Sequence, residues 1–248
     1  MTWRSHIFFE SAIRTLVLLV VVGGPALAGT VIGSVRLIDA SAARRGNTDY
    51  SGVVIWLEPT GGSAPSNPPK TVQLAQSKKH FNPPVLAVPV GTTVTFPNLD
   101  PIFHNAFSNY SGQAFDVGLY PPTTVPKILF KRAGIVRVFC NIHPTMSAVI
   151  VVQDTPYMAV TGANGSFRIE GIQPGEYRLH VFHEQATEQT MTALQRNLTI
   201  GEDALTLAPI EISQSGYIQV PHKNKYGQDY PAVIEDRPIY APGRAVRK

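Results

Sequence analysis

The run Phe139-Cys140-Asn141-Ile142-His143-Pro144-Thr145-Met146 constrains this chain more than any other stretch. Between Cys140 and Met146 it offers a thiol, an imidazole and a thioether, and Cys140 is the only cysteine in 248 residues. Three potential ligands in one short loop cost little closure entropy, provided that rigid elements hold the loop. Both flanks have that character. Val136, Val138 and Cys140 share a parity, so a strand over 134–140 turns the cysteine toward the apolar face. After Met146, Ala148-Val149-Ile150-Val151-Val152 is an apolar run of strand length and type. Two His, a Cys thiolate and a weak axial Met make the ligand set of electron-transfer copper. The second histidine is available upstream as His104, followed by Asn105.

The same residue types have plainer readings. A lone cysteine can be a small buried hydrophobe, and His143 can be a hydrogen-bonded loop histidine. Zinc also takes Cys and His, but a structural zinc site uses four Cys, His or carboxylate ligands, and Met146 then has no role. The His104-Asn105 pair shifts the balance toward copper.

With these residues in view, positions 66–153 resemble a cupredoxin, the plastocyanin-like blue-copper domain. Cys140-x-x-His143-x-x-Met146 is similar to the short ligand loop of amicyanins, and Phe96-x-Asn98 ahead of His104 also fits. The resemblance implies that His104, Cys140, His143 and Met146 ligate one type 1 (blue) copper, with Asn105 tying the two ligand segments together. It implies an exported carrier of single electrons rather than an enzyme. The partner expected is a redox protein, a c-type cytochrome or a periplasmic oxidoreductase. His143 is expected at an exposed edge, with Pro101, Ile102, Pro144 and Thr145 as the docking surface. The whole resembles exported cupredoxin proteins of the methylamine-utilization type.

Residues 1–28 read as an export signal. Arg4 and Arg14 precede the apolar run Leu16–Val22, and Ala26-Leu27-Ala28 is a small-x-small cleavage sequence. The apolar run is short for a membrane span, so none is expected after cleavage, although Glu10 leaves room for a retained anchor. A periplasmic or secreted location follows. One cysteine cannot form a disulfide within the chain, and an odd thiol in an oxidising compartment needs a partner or protection. Metal ligation protects it.

Removing the signal takes out Arg4, Arg14 and Glu10, so 21 basic and 17 acidic residues become 19 and 16. The tail from His222 carries six of those bases and three of those acids, which leaves the body neutral. Without a basic stripe, nucleic acid is not an expected partner.

Alternating patterns, frequent Gly and Pro, and the lack of a long 3.6-residue period predict an all-β fold, with one weak helix over 188–195. Strands are expected at 30–37 and 52–57. A Gly/Ser/Pro linker follows over 61–69, and further strands are expected over 71–96. Beyond the copper module, residues 159–169 alternate around Asn164-Gly165 and predict a hairpin. Gly-x-Phe167 and Pro174-Gly175-x-Tyr177 resemble the carboxypeptidase regulatory-like, transthyretin-like β-sandwich. That family opens with strands like those at 30–37 and 52–57, which here precede the copper module. The expectation is a Greek-key cupredoxin sandwich, 66–153, inserted into a discontinuous sandwich of 29–62 plus 154–214. Three tandem pieces are the alternative, although two strands alone bury little core. Residues 215–248 read as an extended tail, with Tyr217, Tyr226, Tyr230 and Tyr240 available to pack it down.

Other chemistry finds little support. His180 and His183, three apart in a strand, point to opposite faces, and His80 and His222 stand alone. His183-Glu184 has no second histidine four residues on, and no hydrolase elbow or phosphate loop is present. A different class of function remains open: a binding module in which the β-sandwich holds a partner and copper is structural or stored.

Overall fold

A computed structural model describes residues 28–38, 49–62, 64–66, 70–109, 112–218 and 220–231. The expected signal segment lies outside the described residues except for Ala28, as does the tail beyond Pro231.

In chain order, β1 (Gly29–Ile38) and β2 (Val54–Pro59) come first. A central block follows: β3 (Thr71–Gln73), β4 (Ala75–Ser77), β5 (His80–Asn82), β6 (Val85–Pro89) and β7 (Thr93–Thr95). It continues with β8 (His104–Ser108), β9 (Phe115–Tyr120), β10 (Lys127–Leu129), β11 (Gly134–Phe139) and β12 (Ser147–Gln153). The last block holds β13 (Met158–Val160), β14 (Ser166–Ile172), β15 (Gly175–Phe182), the short helix α1 (Glu188–Ala193), β16 (Arg196–Ile200), β17 (Ala204–Thr206) and β18 (Ile210–Ser213). The fold is all-β, as the alternation predicts.

The central block forms sheets ordered β6-β12-β11-β8-β9 and β10-β7-β3, with β4 and β5 paired beside them. Val94, Phe96, Phe130, Val136, Val138, Cys140, Met146 and Ile150 lie in the core they enclose. The flanking blocks make the sheets β14-β1-β17, with β18 also on β1, and β13-β2-β15-β16. Here β2 runs antiparallel to β15, with Leu57 opposite Leu179 and Trp56 opposite His180. The first strands of the chain thus find their partners more than a hundred residues downstream. A second core holds Val31, Ile55, Leu57, Phe167, Tyr177, Leu179 and Val181.

Strands apolar on both faces, β12 and β2 among them, join the cores. In β12, Ala148, Ile150 and Val152 face the central core, while Val149 and Val151 pack against Val54 and Phe182. In β2, Ile55 and Leu57 face the flanking core, and Val54 turns the other way. A continuous apolar run, rather than alternation, is what a strand covered on both faces requires. Arg137 on β11 reaches Glu184 across the seam at 2.8 Å, with both side chains about a third exposed. Pairs of that exposure contribute at most about 1 kcal/mol, so apolar burial dominates the seam.

The Asn164-Gly165 turn corrects the hairpin expectation. Gly165 has φ +74°, and the turn is closed by the Gly165 amide on the Gly162 carbonyl at 2.8 Å. However, β13 pairs with β2 and β14 pairs with β1, so the turn carries the chain from one sheet to the other. A Cβ on Gly165 would lie 2.3 Å from the Val35 carbonyl oxygen. The dipeptide therefore permits β1 to approach, instead of pairing its own flanks.

His183, at the end of β15, is buried, and its Nδ1 has no hydrogen-bond partner. Burial lowers its pKa below the ordinary 6.5, so the unfolded chain takes up a proton that the folded chain resists. The corresponding stability is complete above pH 6.5 and is lost as pH falls below it. A His183→Leu chain should lose less Tm between about pH 7 and pH 5 than the parent, as read by circular-dichroism melts; equal losses would remove His183 as the source.

Candidate metal centre

Two elements deliver the candidate ligands. At the end of β11 the parity argument is met: Val136, Val138 and Cys140 are all buried. The loop then turns back tightly, with the Met146 amide on the His143 carbonyl at 3.0 Å and the Cys140 amide on the Met146 carbonyl at 3.2 Å. These bonds fix the loop before β12 begins. The other element is β8, which opens with His104. Its ladder with β9 shifts register between Asn105 and Phe107, an irregularity that re-aims side chains, and all five residues of β8 are buried.

The donor atoms converge. His104 Nδ1 and His143 Nδ1 lie 3.1 Å apart, and Cys140 Sγ is 3.9 Å from the first and 3.6 Å from the second. Among the described residues this is the group of three His, Cys, Asp or Glu side chains placed to share a metal ion. Met146 is fully buried in the same core as Cys140. His143 is only 3% exposed, so its ring is covered although Pro144 and Thr145 beside it are open to solvent. Ile102, expected on a docking surface with exposed Pro101, is instead buried at 9%, with its carbonyl held by the Asn98 side chain at 2.7 Å. Leu99 and Phe103 of that loop are the exposed apolar residues.

Asp100 sets the orientation of His104, a role the sequence did not reveal. Its Oδ2 is 2.8 Å from His104 Nε2, so the ring presents Nδ1 to the centre. Lys78 and Lys79, both with positive φ in the turn between β4 and β5, donate their amides to the same carboxylate at 2.6 and 2.8 Å. Burial would raise the Asp100 pKa, but these two amides and His104 outweigh it and hold the carboxyl below its ordinary value. A carboxylate behind a ligating imidazole fixes ring and tautomer. The signal in the sequence was an Asp four residues before the histidine.

Asn105 braces both segments. Its Oδ1 accepts from the Asn141 amide at 3.2 Å, and its Nδ2 donates to Asp116 Oδ1 at 2.7 Å and to the Gly118 carbonyl at 2.8 Å. Burial raises the Cys140 thiol pKa, and the amides of Ile142, Asn105 and His143, which pull the other way, offset it only in part. A metal ion held there would complete what the amides begin, because the thiolate is the ligating form.

Among the described residues, the remaining histidines form no such group. His180 stacks on Trp56 at 4.9 Å and meets Glu58 at 2.8 Å. His80 bonds the Lys78 carbonyl. His222, which stood alone in sequence, lies on the ligand loop, where its Nε2 is 2.7 Å from the Pro144 carbonyl oxygen.

No family model matches the chain. A relative, the methylamine utilization protein MauL of Methylorubrum extorquens, is 40% identical over 62 residues, covering 25% of this chain and 54% of its own length. The chain therefore spans about half the length of the curated relative it matches. Among solved structures, a reduced amicyanin mutant and an oxidised one each share 26% identity over 34% of this chain and 82% of theirs, with TM-scores of 0.32. At that score the likeness supports no conclusion by itself. No helix among the described residues is long and apolar enough to cross a membrane.

Replacing Asn105 by Ala removes the side-chain partners of the half-buried Asn141 amide and Gly118 carbonyl. Each hydrogen bond lost is worth about 0.5–1.5 kcal/mol net, so urea denaturation of the metal-free Asn105→Ala chain should show a loss of about 2 kcal/mol. A loss under about 1 kcal/mol would mean that the brace is dispensable.

Proposed function

We propose that this chain is an exported type 1 copper protein that carries single electrons, with His104, Cys140, His143 and Met146 as the ligands of one copper ion. The observation that carries the reading is the convergence of His104 Nδ1, His143 Nδ1 and Cys140 Sγ on one buried point. Nitrogen and sulfur ligands about 2.0–2.3 Å from a shared ion stand roughly 3–4 Å from one another. The separations of 3.1, 3.6 and 3.9 Å match that without rearrangement. A thioether in the same loop suits copper rather than zinc.

Copper held there supplies reversible one-electron exchange. The chain's own contribution is rigidity. Asp100 holds one imidazole, Asn105 joins the two ligand segments, and burial excludes water that would otherwise reorganise with each change of charge. Small reorganisation is the condition for fast exchange, and it follows from ligands whose positions are set by hydrogen bonds in the fold.

The likeness to MauL favours methylamine utilization as the setting, and a carrier of single electrons calls for a redox protein as its partner. The uncovered apolar residues Leu99 and Phe103 suit a small, transient contact. We take residues 1–28 as a cleaved signal and the location as periplasmic or secreted. The pairings of β1 with β14 and β2 with β15 support a carboxypeptidase regulatory-like sandwich, 29–62 plus 154–214, that receives the cupredoxin unit, 66–153, as an insertion.

Titration of the mature protein with Cu(II) should give an intense thiolate-to-copper absorption band and narrow copper hyperfine splitting in EPR. Cys140→Ser should abolish both while the chain still folds. Retention of the band in Cys140→Ser, or a wild-type chain that takes zinc and stays colourless with copper, would overturn the reading.

A further inference from the structure

The segment from Pro221 to Pro231 lies against the ligand loop. The contacts that bring it there do not form a regular ladder. Tyr230 donates its hydroxyl to the Cys140 carbonyl oxygen at 2.8 Å. The His222 ring stacks on Phe139 with centroids 4.0 Å apart, and its Nε2 meets the Pro144 carbonyl oxygen at 2.7 Å. The Lys225 amide donates to Asn141 Oδ1 at 3.0 Å. The Lys225 ammonium reaches Asp116 Oδ2 at 2.6 Å, the same carboxylate whose other oxygen holds Asn105.

The segment is shaped for this. Asn224 Oδ1 accepts from the amides of Tyr226 and Gln228, and Gly227, with φ +77°, donates its amide to the Asn224 carbonyl. That turn doubles the chain back, so His222 and Tyr230 meet edge to face at 5.2 Å, with the Tyr230 hydroxyl 3.2 Å from His222 Nδ1. The result is a clamp with its two jaws on the residues before, at and after Cys140. A tail adhering through apolar burial alone would have no reason to select the carbonyl of a ligand residue.

We infer that residues 221–231 form a built-in strap that positions Cys140 and screens its flank of the site, with Tyr230 and His222 as positioning residues. This rests on the copper reading for its purpose but not for its geometry. By fixing the Cys140 carbonyl and the Asn141 side chain, the strap limits rotation of the peptide that carries the thiol. By covering Phe139, it removes from solvent the ring next to the ligand. Electron exchange is thereby directed away from the Cys140 flank.

The test uses the full chain and three variants: Tyr230→Phe, His222→Ala and the pair together. Cys140 is the only thiol, so the rate at which an aromatic disulfide reagent labels the metal-free protein reads the opening of this site alone. The double variant should label about tenfold faster or more, the factor corresponding to the loss of one or two ordinary hydrogen bonds. After copper loading, its thiolate-to-copper band and hyperfine splitting should shift from the wild-type values, a change that a merely stabilising contact would not produce. Wild-type labelling rates and wild-type spectra in all three variants would overturn the strap and leave the copper reading standing. Faster labelling with an unchanged spectrum would make the segment a cover only and overturn the positioning role. Faster labelling in a protein whose wild type forms no blue site would keep the strap and defeat the copper reading.

Discussion

Asn105 is the interaction on which the geometry of the centre depends. Its side chain joins β8, which carries His104, to Asn141 on the cysteine loop and to β9. Its own carbonyl is held by the Gln76 side chain at 2.9 Å, and Gln76 in turn accepts the Tyr120 hydroxyl at 2.7 Å. Gln76 and Asn105 are buried among apolar residues, where an unpartnered amide is costly. The members of such a network therefore hold or fail together. That all-or-none character gives candidate ligands on segments 36 residues apart a single separation.

The seam between the two sandwiches follows from a related constraint. Val149 and Val151 on β12, and Val54 on β2, are fully buried on the faces turned away from their own cores. Covering such residues is favourable by about 1.5–3 kcal/mol each relative to leaving them in water. Because β12 begins directly after Met146, the strand that closes the ligand loop is covered on both faces. The flanking sandwich thus immobilises one wall of the loop, giving the second module a mechanical connection to the site.

Legibility in the sequence followed the range of the interactions. Cys140, His143 and Met146 form one motif. The parity of Val136, Val138 and Cys140 is a local rule, and the apolar run at 148–152 marked the strand that follows the loop. His104 and Asn105 were readable because adjacent residue types matched a known ligand pattern. What the sequence hid depends on distant partners. Asp100 looks like a turn residue until the amides of Lys78 and Lys79, 22 and 21 residues earlier, are brought to it. Asn164-Gly165 has the composition of a hairpin turn, but strand choice was decided by β1 and β2, which lie far away in sequence and offer longer ladders. Tyr230 was visible as a residue able to pack and His222 as a histidine standing alone, with nothing local to say what either would meet.

The last strand of the flanking sandwich gives the strap its reach. The chain leaves β18 at Ser213, held by parallel pairing to β1, and the first strap contact, His222 on Phe139, comes only nine residues later. A free tail would pay the entropy of closing a long loop before any of its contacts formed, a cost that grows with the logarithm of loop length. Anchoring at β18 leaves a short tether, and the turn built on Asn224 shortens the effective search again by bringing both jaws of the clamp to one place. The sandwich, the seam and the strap therefore act on the same few residues. The seam fixes the strand that leaves Met146, and the strap fixes the peptide that carries Cys140. The loop that holds the candidate ligands is constrained at both ends by parts of the chain outside the central block.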